Sequence, residues 1–362
     1  MKKAKDVVET SEKESPKASK PARRDMLSTG STLLNLACSG NPFGGFVKGK
    51  YYYLVGDSTS GKTFLSMTCF AEAMIHRHFK NYRLVYDNVE DGMLMDVEKL
   101  FGKAVGKRIE APSKDKAGNP VFSYTIEEFY YHLDDLIKEG KPFIYVLDSM
   151  DGLSSTAELE KFDAHKKAYR SKEKSPGSYG DGKAKKNSEG IRKVLNDLRN
   201  SGSILIIISQ TRDSLGTGFS PKTHSGGHAL EFYATLQLWT SIAEQIKKTV
   251  RNKARNIGVK VKIKTKKNRI TGKTGEVQIA IYPSYGIDDI GTCVDYLVSE
   301  KWWKCPTKQT IEAGEFDITA SREALIQKIE KEGWEDELRS IVGKCWKEIE
   351  AASNPNRKNK YA

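Results

Sequence analysis

The sequence predicts an α/β fold in which a central, mostly parallel sheet is flanked by helices and followed by a small C-terminal helical segment. Several short apolar runs have the composition of buried strands, and helical patterns separate a number of them. A glycine-rich phosphate-binding motif also joins the first of these strands to a helix. Continuous apolar strands alternating with helices are typical of a parallel sheet that is covered on both faces.

The first strand and the first helix of this core enclose the phosphate-binding motif. Residues 51–55 form a β-rich run, and the segment from Thr63 onward has helical spacing with Leu65, Cys69 and Ala73 on one face. Between them lies the motif G-x-x-x-x-G-K-T, formed by Gly56, Asp57, Ser58, Thr59, Ser60, Gly61, Lys62 and Thr63. This order of strand, loop and helix predicts a binding site for a nucleoside triphosphate.

The residue types of the motif explain this prediction. Its glycines let backbone N–H groups converge on phosphate oxygens at a helix N-terminus. Lys62 is expected to reach the β and γ phosphates, and the Thr63 hydroxyl is expected to coordinate Mg²⁺.

Alternation marks four further runs as strands of the predicted sheet, at residues 83–86, 143–147, 203–208 and 235–239. Asp148 ends the second of these runs and is predicted to hold hydrated Mg²⁺ from a neighbouring strand. Glu90 follows the run 83–86 and is the preferred candidate for the base that activates water, with Asp91 as the second candidate. Gln210 follows the run 203–208 and could hydrogen-bond a γ-phosphate directly. Loss of this phosphate would then release the segment 211–227.

Two inserts interrupt the predicted core. Glu158–Ser188 is basic and glycine-rich, too polar to be a buried element, and Thr211–Gly227 is a loop of Gly, Ser, Thr and Pro. Long loops at the C-terminal ends of parallel strands commonly bind ligands, so both are functional candidates. The alternative for the first insert is a disordered surface loop.

The remaining segments define the predicted domain organisation. Residues 253–267 and 276–282 form a predicted antiparallel pair joined by a turn at 271–275, and residues 319–332 and 334–351 have helical periodicity. We expect a disordered basic arm at 1–24, a core at 25–300, a C-terminal helical segment at 301–352 and a tail at 353–362.

Charge favours a polyanionic partner. The 362-residue chain has a formal net charge of +13. The stretch 245–275 contains no acidic residue and twelve basic ones, namely Lys247, Lys248, Arg251, Lys253, Arg255, Lys260, Lys262, Lys264, Lys266, Lys267, Arg269 and Lys273. Like charges repel, and such segregation therefore indicates that phosphate neutralises them.

Composition also excludes several classes. The five cysteines are odd in number and contain no C-x-x-C pair, which is typical of reduced thiols in the cytoplasm. The six scattered histidines lack the spacing of a structural metal site. No apolar run approaches the ~20 residues that span a bilayer, so no membrane partner is expected.

These motifs together resemble the RecA-type DNA recombinases over residues 26–303, with a RecA-like ATPase core. Residues 28–31 and 43–50 resemble the lead-in to the family's phosphate loop, and 147–149 resemble its magnesium strand. More discriminating is the segment 226–235, Gly-Gly-His-Ala-Leu-Glu-Phe-Tyr-Ala-Thr, which is similar to the signature that closes the family's second DNA-binding loop.

The resemblance implies ATP and Mg²⁺ as cofactors, and single- and double-stranded DNA as partners. It implies a helical filament in which Lys267 and Arg269 reach the ATP of the neighbouring subunit, and a secondary duplex site at Lys264. Gly226 and Gly227 are expected to bind DNA phosphates through their N–H groups. The basic residues expected to contact DNA in the two inserts are Lys166, Lys167, Arg170, Arg212 and Lys222.

The chain also departs from the family pattern. The family's catalytic Glu lies two residues after the strand-end Asp, where this chain has Val89, and Glu90 comes one residue later. The arm at 1–24 stands in place of an ordered N-terminal helix. Such divergence resembles the phage-encoded, UvsX-like branch, with a single-strand-binding protein or a loader as a further partner.

Two functional alternatives remain open at this point. One is a ring-shaped helicase or translocase, because such motors share the same core fold. The other is a recombination mediator that binds ATP and DNA without useful hydrolysis, an alternative that the shifted glutamate supports.

Overall fold

The computed structural model describes residues 21–92, 95–172, 182–212, 223–224, 226–355 and 357. The strands are β1 (Met26–Leu27), β2 (Phe46–Val47), β3 (Lys50–Gly56), β4 (Arg83–Asn88), β5 (Ile109–Glu110), β6 (Ser113–Lys114), β7 (Pro120–Val121), β8 (Phe143–Asp148), β9 (Ile204–Arg212), β10 (Thr223–His224), β11 (Leu236–Val250), β12 (Lys253–Asn268), β13 (Gly275–Tyr282), β14 (Gly286–Asp288), β15 (Lys304–Thr307), β16 (Thr310–Ala313) and β17 (Ile318–Ala320).

The helices lie between and after these strands. They are α1 (Thr32–Ser39), α2 (Lys62–Ile75), α3 (Val97–Phe101), α4 (Lys103–Gly106), α5 (Ile126–Lys138), α6 (Thr156–Ser171), α7 (Lys183–Ser201), α8 (His228–Tyr233), α9 (Asp289–Ser299), α10 (Arg322–Glu332) and α11 (Glu335–Ala352). Three short 3₁₀ helices span Arg23–Asp25, Met150–Gly152 and Gly314–Phe316.

One large sheet organises the molecule, with the strand order β14-β13-β12-β11-β3-β9-β8-β4-β5 and with β10 paired to β9. The pairs from β11 through β3, β9, β8 and β4 to β5 are parallel. The pairs from β11 through β12 and β13 to β14 are antiparallel. The predicted α/β class, with a central sheet flanked by helices and further helices toward the C-terminus, is confirmed.

The central strands are buried on both faces, as their continuous apolar sequences predict. On β3, Tyr52 and Leu54 belong to one hydrophobic core, whereas Tyr51, Tyr53 and Val55 belong to the other. Helix α2 packs on the first face through the predicted stripe of Leu65, Cys69 and Ala73, all of which are buried. Helices α5 and α7 cover the second face. The buried sheet therefore fixes the positions at which its central strands end.

The insert at 158–188 is largely exposed, as its polarity predicts, but the loop expected there is helical in the residues that the structure describes. Helix α6 occupies 156–171 and α7 begins at Lys183. The reason is local, because the Ser155 hydroxyl accepts a hydrogen bond from the Glu158 N–H while the Glu158 carboxylate accepts one from the Ser155 N–H. This capping box starts a helix without requiring a buried face.

Two further elements differ from the sequence-based expectation. The strand predicted at 235–239 extends to Val250 and pairs with β12 along its whole length, turning at Arg251 and Asn252. A three-stranded antiparallel sheet, β15-β16-β17, precedes the predicted C-terminal helices. The pair 253–267 with 276–282 is present as β12 and β13.

Several predictions fall on residues outside the described ranges. These are most of the arm at 1–24, the centre of the first insert at 173–181, most of the second insert with Lys222, and most of the tail at 353–362. Along the described part of the chain, no helix combines the length and the apolar character needed to cross a bilayer.

Candidate nucleotide and DNA-binding site

The candidate site lies where β3, β4, β8 and β9 end at the same edge of the sheet. The strand register places Gly56 opposite Gln210 and Asn88 opposite Asp148. Because parallel strands point their carboxyl ends to one edge, the phosphate loop and the polar residues after three other strands become neighbours.

The phosphate loop is shaped by glycines at its two ends. A Cβ atom at Gly56 would lie 2.0 Å from Thr240 Oγ1, and Gly61 has a φ of +82°, a conformation that side chains disfavour. Gly61 is the N-cap of α2 and makes no side-chain cap, so the first N–H groups of the helix stay available to an anion. These features fit the phosphates of a nucleotide.

Lys62 lies inside this loop. Its ammonium group donates hydrogen bonds to the carbonyl oxygens of Gly56 (2.8 Å) and Asp57 (2.7 Å), and the residue is only 7% exposed. Burial lowers the pKa of Lys62, while nearby carboxylates, with Asp148 the strongest, oppose this shift. A buried cation held by carbonyl oxygens can stabilise phosphate charge in a site that excludes water.

Thr63 and Asp148 form the candidate magnesium pair. The Thr63 hydroxyl donates to Asp148 Oδ2 at 2.6 Å, and the Tyr86 hydroxyl donates to the same oxygen at 2.9 Å. Burial raises the pKa of Asp148, and these two hydrogen bonds partly offset the rise. Hydroxyl and carboxylate oxygens suit Mg²⁺, which takes its other ligands from phosphate and water. Among the described residues, no group of three His, Cys, Asp or Glu side chains could hold an ion by itself.

Glu90 and Gln210 meet in front of this pair. The Gln210 side-chain amide donates to both carboxylate oxygens of Glu90 at 3.2 Å, and the Ser149 hydroxyl donates to Glu90 Oε1. The Glu90 N–H also bonds the Asp148 carbonyl oxygen at 3.3 Å. The second candidate, Asp91, is exposed and bonds the Asn88 amide at 3.5 Å. The structure thus brings Glu90, and not Asp91, beside Gln210 and Ser149, and the role of Glu90 as the base stays a prediction.

Sequence reasoning missed two side-chain links at this edge. Asp151 accepts hydrogen bonds from the Ser209 hydroxyl and from the Gln210 N–H, both at 2.8 Å. The Thr211 hydroxyl donates to the carboxylate of Asp57 in the phosphate loop. Both links join residues that are far apart in the sequence, and no local motif indicates them.

The candidate DNA contacts lie on several elements. Lys166, Lys167 and Arg170 are exposed on α6, and Lys264 is exposed on β12. Arg212 is the last residue of β9, and Lys222 lies outside the described ranges.

Gly226 and Gly227 lie beside α7, with positive φ values of 93° and 79°. The Asn187 amide bonds the Gly226 carbonyl oxygen at 3.2 Å, and a Cβ atom on Gly227 would lie 2.8 Å from Ala184 Cβ. The close approach to Ala184 requires glycine at 227, and the positive φ favours glycine at both positions.

Within the chain, Lys267 and Arg269 bind the C-terminal end of α8. The Lys267 ammonium group donates to the carbonyl oxygens of Glu231 (2.8 Å) and Phe232 (2.5 Å), and Arg269 donates to the Phe232 carbonyl oxygen at 2.8 Å. Cations are favourable at a helix C-terminus. The predicted role of both cations at a neighbouring subunit's ATP stays a prediction.

The fold and the phosphate loop define a P-loop nucleotide-binding protein. Comparison with known families matches residues 125–288 to the RecA N-terminal domain, a region that contains Asp148 and Gln210 but begins after the phosphate loop. Similar proteins include Protein RecA of Cytophaga hutchinsonii, 29% identical over 276 residues, which cover 75% of this chain and 67% of that protein.

Two other bacterial proteins show comparable similarity. Protein RecA of Chloroherpeton thalassium is 27% identical over 284 residues, covering 75% of this chain and 68% of that protein. Protein RecA of Lactobacillus delbrueckii subsp. bulgaricus is 28% identical over 257 residues, covering 70% and 67%. These matches support a RecA-type recombinase family for this chain, which confirms the resemblance found in the sequence. Membership of the phage-encoded branch stays a prediction.

Proposed function

We propose that this protein is an ATP-dependent DNA recombinase, which polymerises on single-stranded DNA and promotes homologous pairing and strand exchange in recombination and repair. The similarity to proteins named RecA supports this proposal. The observation that carries it is the contact between Gln210 and Glu90, because it joins the nucleotide edge of the sheet to the strand that leads into the segment 211–227.

A short chain of hydrogen bonds connects the phosphate site to Gln210 and Thr211, where the segment 211–227 begins. Glu90 contacts Ser149, next to the magnesium candidate Asp148, and Gln210 on β9 contacts Glu90. Thr211, the next residue, contacts Asp57 in the phosphate loop. A change in charge at the phosphate site therefore acts directly on the residues from which the second DNA loop begins.

The side chains have distinct roles in this proposal. The loop from Gly56 to Thr63 binds phosphates through its N–H groups, and Lys62 neutralises their charge. Thr63 and Asp148 would hold Mg²⁺, which would supply electrostatic stabilisation of the charge that develops at the phosphates. Glu90 accepts a proton from the attacking water, and Gln210 orients the Glu90 carboxylate and senses the γ-phosphate.

DNA binds on the surface next to this edge. Gly226 and Gly227 offer N–H groups to phosphates, and the exposed cations on α6 and at Lys264 add charge. In a filament, Lys267 and Arg269 exchange their carbonyl partners for the ATP of the neighbouring subunit. We expect the protein to act in the cytoplasm with single- and double-stranded DNA, itself, and a single-strand-binding protein or loader.

A strand-exchange assay tests the proposal. Purified protein is incubated with a circular single strand, a homologous linear duplex, ATP and Mg²⁺, and joint molecules are followed on a gel. We expect products that require ATP and homology, and none with the Lys62→Ala variant. Absence of homology-dependent products under conditions in which the protein binds both DNAs and ATP would refute strand exchange.

Electron microscopy on single-stranded DNA with a non-hydrolysable ATP analogue separates the alternatives. We expect helical filaments. Closed rings would favour a helicase or translocase. Phosphate release from ATP is measured in a separate assay, and filaments without any DNA-stimulated phosphate release would favour a mediator.

A further inference from the structure

Tyr86 is a buried tyrosine on β4 that contacts the magnesium candidate. The residue is only 2% exposed, and its hydroxyl donates a hydrogen bond to Asp148 Oδ2 at 2.9 Å. Burying a hydroxyl group is costly unless it is hydrogen-bonded, and phenylalanine would pack in a hydrophobic core without this cost. The hydrogen bond to Asp148 is therefore the contact that tyrosine adds at this position.

The strand register explains how Tyr86 reaches Asp148. Strands β4 and β8 are parallel, with Tyr86 opposite Val146 and Asn88 opposite Asp148. Side chains two residues apart on a strand lie on the same face of the sheet, so Asp148 shares the face of Tyr86 and Val146, which helix α2 covers. Tyr86 and Asp148 are thus diagonal neighbours, a separation that a long aromatic side chain can bridge.

The carboxylate of Asp148 is held from two sides. Its Oδ2 atom accepts hydrogen bonds from the Thr63 hydroxyl on α2 at 2.6 Å and from the Tyr86 hydroxyl on β4. Thr63 is the other member of the candidate magnesium pair, whereas Tyr86 reaches the carboxylate from the neighbouring strand and does not belong to this pair. Asp148 is 8% exposed, and water has little access to replace either contact. Tyr86 therefore restricts the orientation of the carboxylate.

We infer that Tyr86 is a positioning residue for the candidate magnesium site, because its hydroxyl orients the Asp148 carboxylate before the ion binds. This inference rests on the proposed function and adds a residue that no motif or strand end marks. Groups that hydrogen-bond a metal ligand fix its orientation, and removing one commonly lowers metal affinity about tenfold or more. The contact also joins β4, which leads to Glu90, to the strand that ends at Asp148.

The test measures how much Mg²⁺ adds to nucleotide affinity, without hydrolysis or DNA. The full chain is titrated with a fluorescent, non-hydrolysable ATP analogue, once in excess Mg²⁺ and once in EDTA, and the ratio of the two affinities is compared between variants. Tyr86→Phe removes only the hydroxyl. Tyr145→Phe is the matched control, because the buried Tyr145 hydroxyl donates to Asp87 Oδ2 at 2.6 Å, between the same two strands but on the opposite face.

We expect Tyr86→Phe to keep the affinity in EDTA and to lower the ratio about tenfold, whereas Tyr145→Phe should keep the ratio of the unmodified protein. An unchanged ratio in Tyr86→Phe would overturn the inference and leave the proposed function intact. Equal losses in both variants would also overturn it, because they would indicate general loosening of the sheet. A ratio of one in the unmodified protein would contradict the magnesium site of the proposed function itself.

A double-mutant cycle tests whether Tyr86 acts through Asp148. Tyr86→Phe is introduced into the Asp148→Ala variant, and the same ratio of affinities is measured. We expect the added substitution to change this ratio by less than about twofold, because the carboxylate that Tyr86 orients is already absent. A further loss as large as that in the unmodified background would show that Tyr86 acts on another group and would overturn the inference.

Discussion

Glu90 illustrates how much depends on one side chain. The loop after β4 turns so that Val89 packs toward Gly152, where a Cβ atom would lie 2.8 Å from Val89 Cγ1, while Glu90 meets Gln210 and Ser149. The Val89 side chain therefore packs against its neighbours, and the Glu90 carboxylate lies at the edge of the candidate site. This arrangement gives a physical basis for the one-residue shift relative to the family pattern.

The Glu90→Gln variant should bind ATP and Mg²⁺ normally but hydrolyse ATP at least about a hundredfold more slowly, because glutamine cannot accept a proton from water. Phosphate release in the presence of single-stranded DNA measures the effect, and nucleotide affinity is measured in parallel. Asp91→Asn is the matched control and should retain hydrolysis. A normal rate of ATP hydrolysis by Glu90→Gln would mean that another residue is the base.

Thr211→Val removes the hydroxyl that bonds Asp57 and keeps the volume of the side chain. Because one hydrogen bond contributes about 1 kcal/mol, we expect the ratio of single-strand affinities with ATP and with ADP to change about fivefold. Thr211→Ser retains the hydroxyl and should keep the ratio of the unmodified protein. An unchanged ratio in Thr211→Val would exclude this contact from the coupling.

At the scale of elements, capping residues explain several helix positions. Thr125 and Glu128 form a complete capping box at the start of α5, where Thr125 Oγ1 accepts from the Glu128 N–H at 3.1 Å. Helix α5 buries Phe129 and Leu133 against the second hydrophobic core. Its start therefore contributes to the stability of the whole sheet.

Thr125→Ala should lower the free energy of unfolding by about 1 kcal/mol, because the Glu128 N–H loses its partner at the helix N-terminus. Urea denaturation followed by circular dichroism measures this change. Thr156→Ala, at the exposed first residue of α6, is the control and should change stability by less than about 0.5 kcal/mol. Equal effects of the two substitutions would contradict the capping assignment.

The β11–β12 ribbon carries part of the basic segment away from the sheet. β11 pairs with β3 only as far as Thr240, and β12 pairs with β13 only from Val259 onward, so the tip around Arg251 and Asn252 is a two-stranded ribbon. Its basic residues Lys247, Lys248, Arg251, Lys253 and Arg255 are exposed. This geometry suits contact with a long polyanion.

Replacing Lys247, Lys248, Arg251 and Lys253 by glutamine should reduce the salt dependence of single-strand binding. Each lost phosphate contact lowers the slope of log affinity against log salt by about 0.7. Replacing four exposed lysines near the C-terminus, Lys301, Lys304, Lys308 and Lys331, gives the same change in net charge and should leave the slope unchanged. Equal slopes for both sets would mean that the ribbon does not contact DNA.

The elements that sequence analysis could predict are those whose residues carry a local signal. The strands at 51–55, 83–86, 143–147 and 203–208 are mostly apolar, because the sheet buries both of their faces. Helix α6 gave no such signal because it buries one residue. The outer half of β11 is exposed and depends on pairing with β12, which a local pattern cannot reveal.

In the candidate site, too, only residues that carry a local sequence signal could be predicted. Thr63 and Asp148 can be predicted because a motif and a strand end mark them, and the structure brings their side-chain oxygens to 2.6 Å from each other. Asp151 could not be predicted, because its partners Ser209 and Gln210 lie nearly sixty residues away along the chain.

At the scale of the whole molecule, one edge of the sheet connects the candidate nucleotide site to the candidate DNA contacts. The phosphate loop, the magnesium pair and Glu90 lie at this edge, and Gln210 leads from it into the segment that precedes Gly226. The central claim is that nucleotide occupancy at the phosphate loop sets the affinity for single-stranded DNA.

The most direct test measures the affinity of the full chain for one single-stranded oligonucleotide in three states, at constant salt and Mg²⁺. These are a non-hydrolysable ATP analogue, ADP, and no nucleotide. We predict that the ATP analogue gives clearly tighter binding than the other two states, and that Lys62→Ala abolishes the difference. Equal affinity in all three states would contradict the account.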